Sequence, residues 1–279
     1  MIAPYRIVLN AKVYGGKTLK KGVGANGEKL VKFLNKPRKV AVVGKHAQSF
    51  KRLLAGRGYS FTEKPELVFC FGGDGTILFS ETRFPGVPKV AIKHSDYCTR
   101  CNVGSPPQPL SHAKMFYCAE CVDKALDALD GRVKIKEHFK LDGTAYTSRG
   151  VFRDTALNEV QVHNNSPLHA VRGDVFVDGE RVFRDFVSDG AIVATLFGST
   201  GYFYSVSRET FEEGIGVALN NSTRPEEPLV VDEDSTIKIV LTRRHGRFVV
   251  DNHAKTVQLD TGDKVIVKKS KQVARFVEF

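Results

Sequence analysis

Residues 71–76 read Phe71-Gly72-Gly73-Asp74-Gly75-Thr76, directly after the apolar run Leu67-Val68-Phe69-Cys70. A buried strand that ends in such a turn and feeds a helix is suited to phosphate. Glycines let the backbone approach a charged ligand with no Cβ in the way. The N–H groups at the start of the following helix point at the anion. A carboxylate repels phosphate, so Asp74 serves a proton or a metal ion there. The plainer reading is a turn aspartate bonded to its own backbone. A glycine on each side, after a buried strand, favours the chemical one.

Four of the five cysteines form a second constellation: Cys98-x-x-Cys101, then 16 residues, then Cys118-x-x-Cys121. Each Cys-x-x-Cys turn can present two thiolates, and zinc takes four in a tetrahedron. The expectation is one structural Zn²⁺ clipping a long loop. Four thiolates fill the shell and leave no open position for catalysis. Cys70, inside the apolar run, reads as core.

These groups need a scaffold. Lys39–Gly44 and Leu67–Phe71 read as buried strands, and Val87–Lys93 as a third. Ser49–Arg57, with Phe50, Leu53 and Leu54 at helical spacing, and Thr76–Thr82 read as the helices between them. Alternating strand and helix implies a parallel α/β sheet with ligands at the carboxyl ends of its strands. Ile7–Leu9 reads as a strand, the glycine- and lysine-rich stretch 14–27 as loop, and Glu28–Leu34 as a short helix. Ala119–Leu129 is a helix stopped by Gly131.

From about residue 132 the texture changes to short β segments at close spacing. They are Val133–Phe139, Thr144–Ser148, Val151–Asp154, Ala156–His163, Gly173–Val177, Glu180–Phe186 and Ala191–Leu196, then Leu229–Val231, Ser235–Val240, Phe248–Val250, Thr256–Leu259 and Lys264–Lys268. Asp178-Gly179 marks a hairpin. The expected architecture is a Rossmann-like α/β domain over 1–131, with the cysteine segment at 94–121, and a β-sandwich-type domain over 132–279. The last strand is free to return to the first domain.

The chain has 279 residues, 42% of them hydrophobic, and a net charge of +11. No apolar run approaches the roughly 20 residues that span a bilayer. Met1–Arg6 begins no signal peptide, so the expectation is a cytoplasmic protein without membrane partners. The basic residues are scattered, with no basic tail and no RNA-binding aromatic motif, which favours phosphate-bearing small molecules over nucleic acid.

A further set of residues completes the pattern. Asn158-Glu159 lies at a strand end. Ser188-Asp189-Gly190-Ala191-Ile192-Val193-Ala194-Thr195 runs into Gly198-Ser199-Thr200-Gly201-Tyr202. With Gly-Gly-Asp-Gly-Thr, these strings resemble the NAD kinase family, within the NAD kinase/diacylglycerol kinase-like superfamily, over roughly residues 39–279. The glycine-aspartate turn alone marks the superfamily, and the other two strings point to NAD kinases.

The resemblance implies ATP-dependent phosphorylation of the 2′-hydroxyl of the adenosine ribose of NAD, giving NADP. It implies Mg²⁺ with the ATP (polyphosphate serves some members), a site between the domains, and a homodimer or homotetramer. By motif, Asp74 would be the catalytic base. Gly72, Gly73, Gly75 and Thr76 would form the nucleotide turn, and Asn158 and Glu159 would hold the nucleotide. Thr200, Gly201 and Tyr202 would line the NAD pocket near Asp189. The chemistry agrees: a ribose hydroxyl is a poor nucleophile that a carboxylate can deprotonate. Asn158 can bond an amide or ribose edge, Glu159 can accept from a ribose hydroxyl, and Tyr202 can stack on a ring.

The chain departs from the family pattern around the substrate pocket. Gly201 stands for an alanine, Leu196-Phe197 for Pro-Thr, Ala91-Ile92-Lys93-His94 for a Gly-Ile-Asn-type turn, and Asn220–Thr223 for Pro-His-Ser-Leu before Arg224-Pro225. Open alternatives are a kinase of this fold acting on another hydroxyl (nucleoside, sugar or lipid), or a catalytically silent nucleotide-binding protein with a zinc-stabilised contact segment.

Overall fold

The computed structural model describes residues 28–31, 37–44, 47–92, 97–98, 108–109, 119–130 and 133–278. They fall into two compact units. One draws on Lys21–Glu137 and Val273–Phe279, the other on His138–Gln272.

The first unit opens with β1 (Glu28–Val31). Parallel strands β2 (Lys39–Gly44), β3 (Ser60–Phe61), β4 (Leu67–Phe71) and β5 (Lys89–Ile92) stand in the order β5-β4-β2-β3. Phe276 extends this sheet by pairing in parallel with Lys89. All five residues of β4 are buried, as expected for a continuous apolar strand covered on both faces. The period of two sends alternate residues to opposite faces. Val40, Val42 and Phe69 pack with Phe50 and Leu54 of α1 (Ala47–Gly56) and Val122 and Leu126 of α3 (Ala119–Asp130). Ala41, Val43, Val68 and Cys70 meet Ile77 of α2 (Asp74–Arg83) and Phe84. Cys70 is therefore core. Two-residue strands β6 (Tyr97–Cys98) and β7 (Gln108–Pro109) pair antiparallel.

Three sequence expectations change here. The described part of the expected helix Glu28–Leu34 is a strand: Glu28–Val31 pairs antiparallel with residues 133–136, so a neighbouring strand overrides weak local propensity. Helix α2 begins at Asp74 rather than Thr76, which puts the aspartate in its first turn. Strand β5 starts at Lys89 rather than Val87, because the backbone at Val87 bonds back to Phe84 in a turn, and Lys93 lies outside the described residues. The expected strand Ile7–Leu9 and the stretch 14–27 lie outside the described residues.

The second unit is antiparallel β structure. Its strands are β8 (Val133–Thr147, which begins in the first unit), β9 (Gly150–Ala156), β10 (Glu159–Asn164), β11 (Val171–Val177), β12 (Glu180–Ser188), β13 (Gly190–Ala194), β14 (Ile215–Asn220), β15 (Leu229–Val231), β16 (Ile237–Arg243), β17 (Gly246–Val250), β18 (Val257–Leu259) and β19 (Lys264–Glu278, which ends in the first unit). One layer runs β12-β11-β16-β19, and the other β15-β14-β13-β10-β17-β18. Val171, Val175, Phe186 and Ile239 of the first face Val160, Val193, Val217 and Phe248 of the second in one core. This is the sandwich arrangement. The Asp178-Gly179 turn joins β11 to β12, with φ of +50° and +91°, the left-handed pair a tight hairpin needs.

Strand β14 was not anticipated. Gly216 interrupts its apolar pattern, yet a Cβ there would sit 2.4 Å from the Phe211 ring. The glycine is present so that an aromatic side chain can lie against the strand. No helix among the described residues is long and apolar enough to cross a membrane.

A buried ion pair anchors α2. Lys89 Nζ lies 2.5 Å from Glu81 Oε2 and donates to the Phe84 and Val87 carbonyls at 3.0 and 2.8 Å. Glu81 Oε1 accepts from the Gly86 N–H at 3.2 Å. The end of α2, its following loop and β5 are locked together, and Asp74 heads the same helix. Lys89→Met alone should cost about 3–5 kcal/mol in denaturant unfolding, because it strands a buried carboxylate. Replacing Glu81 with methionine as well should recover most of that loss.

Candidate active site

In the first unit the glycine turn divides its labour. A Cβ on Gly72 would strike Thr76 Oγ1 at 2.2 Å, so this glycine lets the strand end pack on the helix. A Cβ on Gly73 would meet nothing within 4 Å. Gly73 is the extended N-cap of α2 and its carbonyl accepts from the Thr76 N–H at 3.0 Å. Its open side is where a ligand could approach. Asp74 and Gly75 are exposed and Thr76 is half-buried. Among the described residues the Asp74 carboxylate has no hydrogen-bond partner, so the Asx-turn reading is not realised. The N–H groups of the first helical turn can hold phosphate oxygens, and the Asp74 carboxylate beside them can receive a proton.

In the second unit the segment Leu157-Asn158-Glu159 is buried, and its backbone is held by two residues. The Asp251 carboxylate accepts from all three N–H groups: Leu157 at 2.7 Å, Asn158 at 2.8 Å and Glu159 at 3.0 Å. The Asp251 N–H returns a bond to the Glu159 carbonyl at 3.0 Å. Thr195 serves the other two carbonyls, Oγ1 donating to Leu157 at 2.6 Å and N–H to Asn158 at 2.8 Å. The side chains of Asn158 and Glu159 are treated differently. Asn158 Oδ1 and Glu159 Oε2 are buried with no partner among the described residues. Glu159 Oε1 accepts from Gln161 Nε2 at 3.2 Å. Buried polar atoms left unsatisfied cost stability and mark a place where a ligand completes the bonding.

The glycine-rich string lies against this segment. Phe197–Thr200 forms one 3₁₀ turn, and a Cβ on Gly198 would fall 2.4 Å from the Asn158 carbonyl oxygen. Thr195 Oγ1 also accepts from the Gly198 N–H at 3.0 Å. Gly201 lies beside Asn158, where a Cβ would be 3.3 Å from Nδ2. Thr200 is exposed. Tyr202 opens α4 (Tyr202–Ser207), seated by Phe203 against Ile192, Ala194, Phe211 and Ala218. The Tyr202 hydroxyl accepts from Asn220 Nδ2 at 2.8 Å. Asp189 sits between β12 and β13, its oxygens accepting from Asn164 at 2.9 Å and Asn221 at 3.0 Å. Burial, then the charge of Asp189, raises the Tyr202 pKa. The structure thus gathers Asn158, Glu159, Gly201 and Tyr202, with Asp189 acting on Tyr202.

Sequence reasoning missed two supports. Thr195 stood inside a quoted string without a role. Asp251 follows β17 as an ordinary turn residue, at φ +46°, and nothing nearby in sequence ties it to Asn158. Among the cysteines, Cys121 is buried in the first turn of α3 and Cys98 lies in β6. Cys101, Cys118 and the Cys98 side chain lie outside the described residues. No group of three or more metal-ligating side chains occurs among the described residues.

Residues 157–279 match the family model of the ATP-NAD kinase C-terminal domain. The bifunctional NADP phosphatase/NAD kinase of Methanococcus maripaludis is 30% identical over 224 residues, covering 76% of this chain. The chain spans only 36% of that longer protein. The NAD kinase of Prosthecochloris aestuarii is 28% identical over 213 residues, 74% of this chain and 70% of that one. Among solved structures, yeast NADH kinase complexed with NADH superposes with a TM-score of 0.70 at 17% identity, covering 90% of this chain and 89% of that one. An NAD kinase from Archaeoglobus fulgidus in complex with ATP gives 0.64 at 22% identity, covering 86% and 93%. The likeness to these two structures is one of fold.

Burial, then the charge of Asp251, pushes the Glu159 pKa from 4.5 up to about 7. The folded state therefore holds this proton more tightly than the unfolded chain. The associated stability is fully present below about pH 4.5 and is lost as pH rises through about 7. Glu159→Gln keeps the Gln161 bond and removes the titration. Its stability relative to the unmodified protein should rise between pH 5 and pH 8, by up to about 3 kcal/mol. Denaturant melts at the two pH values measure this, and an unchanged difference would refute a buried, titrating Glu159.

Proposed function

We propose that this chain, which belongs to the NAD kinase family, transfers the γ-phosphoryl group of ATP to the 2′-hydroxyl of the adenosine ribose of NAD or NADH. One observation supports this most. Asn158 and Glu159 are held rigidly by their backbones while Oδ1 and Oε2 stay buried and unsatisfied. A ribose edge offers the hydroxyl donors that those two acceptors lack. Gly201 leaves space beside Asn158, and the half-buried Tyr202 ring offers a face for a base or nicotinamide.

In this reading Glu159 and Asn158 grip the acceptor, and Asp74 takes the proton of the attacking hydroxyl. The new bond joins that oxygen to the γ-phosphorus, the bond to the β-phosphate oxygen breaks, and ADP leaves. Gly73 and the first turn of α2 give backbone N–H groups to the donor phosphates. Mg²⁺ takes one or two carboxylates plus phosphate oxygens and water, and the exposed Asp74 fits that donor set. When bound it would neutralise donor charge.

The test is incubation of purified protein with ATP, Mg²⁺ and either NAD or NADH, scored for NADP(H). No phosphorylated product from either acceptor would overturn the reading. Asp74→Asn preserves shape and removes the proton acceptor. It should lower kcat by about 10²–10⁴ with a modest change in KM. Glu159→Gln should instead raise the acceptor KM more than it lowers kcat.

We also propose that Cys98, Cys101, Cys118 and Cys121 hold one structural zinc. The Cys-x-x-Cys spacing supports it. Metal analysis of the purified protein should find about one zinc per chain, with sulfur ligands near 2.3 Å by X-ray absorption. A zinc-free preparation with full activity would count against it.

A further inference from the structure

We propose that Asp251 is the positioning residue that holds the Asn158–Glu159 pair in its binding conformation and, by its charge, makes acceptor binding depend on pH. This rests on the reading of that pair as the acceptor grip. Asp251 touches no reacting atom, and acts through the backbone and charge of its neighbours.

The geometry carries the argument. One carboxylate collects three consecutive N–H groups at 2.7–3.0 Å, and its own N–H closes the ring on the Glu159 carbonyl. Val160 of β10 pairs with Val250 of β17, so Asp251 stands opposite Glu159, one step past the last ladder pair. Bonds to an ionised acceptor are roughly twice as strong as neutral ones. Three together fix the backbone that aims both side chains. An asparagine at 251 cannot reproduce this, because its NH₂ would face an N–H where an oxygen now accepts.

The second consequence is electrostatic. Among the described residues, few groups face Glu159. Asp251 comes from the end of β17, and neutral Gln161 lies on β10 itself. Ala194 of β13 is opposite and uncharged. Tyr202 heads α4, and Glu159 contributes to its raised pKa. His253 follows Asp251 and is engaged by Asp154 at 2.8 Å. Asp251 is thus the near charge, and it is of like sign. Burial first, and then the charge of Asp251, keep the Glu159 proton bound up to about pH 7. Ribose hydroxyls donate to a carboxylate, so the ionised form of Glu159 is the stronger grip.

In the unmodified protein the acceptor KM should therefore fall as pH rises through about 7. In Asp251→Asn that fall should move to lower pH by about one unit or more, the scale of a neighbouring charge. At pH 8.5 the variant's KM should be raised about tenfold, with a smaller loss in kcat. A role confined to folding would lower the melting temperature and leave the midpoint in place, and that result would overturn the proposal.

Two NMR measurements need no turnover. The Glu159 carboxyl ¹³C signal should titrate at lower pH in Asp251→Asn than in the unmodified protein, and an unchanged midpoint would overturn the proposal. In the unmodified protein the amide protons of Leu157, Asn158 and Glu159 should shift together, at one midpoint, as Asp251 is protonated. Separate midpoints, or no shift, would overturn it even where the variant does not fold. If these titrations behave as expected but neither NAD nor NADH is phosphorylated, the functional reading fails and the Asp251 clamp stands.

Discussion

Everything in the second unit turns on how the backbone of Leu157-Asn158-Glu159 is satisfied. Six buried polar groups in three residues must find partners or cost stability. Asp251 supplies four bonds and Thr195 two. Both are placed by the antiparallel sheet, since β13 and β17 flank β10 on either side. The arrangement frees the side chains of Asn158 and Glu159 from structural duty. They can be buried, rigid and unsatisfied together, a combination that stability alone would not select. Rigidity set by the scaffold lowers the ordering cost of binding.

The first unit reaches a comparable result by other means. A parallel strand buried on both faces delivers the chain to Gly72, and missing side chains let the turn close. Gly72 is demanded by Thr76, whereas Gly73 faces open space. Two adjacent glycines in one motif thus answer to packing and to access respectively. The helix they start is held at its far end by Lys89 and Glu81. A lone surface carboxylate at the helix head can stay in place because that distant pair, and Ile77 and Phe84 against the sheet, keep the helix from sliding.

Much of this was legible in the residues. Lys39–Gly44 and Leu67–Phe71 are apolar enough to announce buried parallel strands, and the Asp178-Gly179 turn needs two left-handed residues that few other pairs supply. The motif strings located the Asp74 turn and the Asn158–Glu159 pair. What stayed hidden was long-range. Glu28–Val31 becomes a strand because residues 133–136 offer an edge to pair with, a fact absent from its own sequence. Strand Ile215–Asn220 went unread, and the packing partner of its Gly216, Phe211, comes from a loop. Asp251 is the clearest case. It lies 92 positions beyond Glu159, in a turn where aspartate is common, so no local pattern separates a clamp from a solvated turn residue.

Two carboxylates buried side by side are an expensive choice, and glutamine at 159 would fill the same volume at lower electrostatic cost. Glutamine would present Oε1 to Gln161 and an NH₂ where Oε2 now stands, replacing an acceptor with a donor. The site would then offer nothing to a second hydroxyl proton. An aspartate clamp rather than an asparagine is required for the same reason of count, since three N–H groups need three acceptor lone pairs converging from one side. The requirement for acceptors thus places two like charges together. Burial raises the proton affinity of both, the charge of Asp251 adds to the rise at Glu159, and hydrogen bonds to each carboxylate oppose it. Asp251 makes three and Glu159 makes one, so it is Glu159, the side chain with an open oxygen, whose charge becomes conditional on its surroundings.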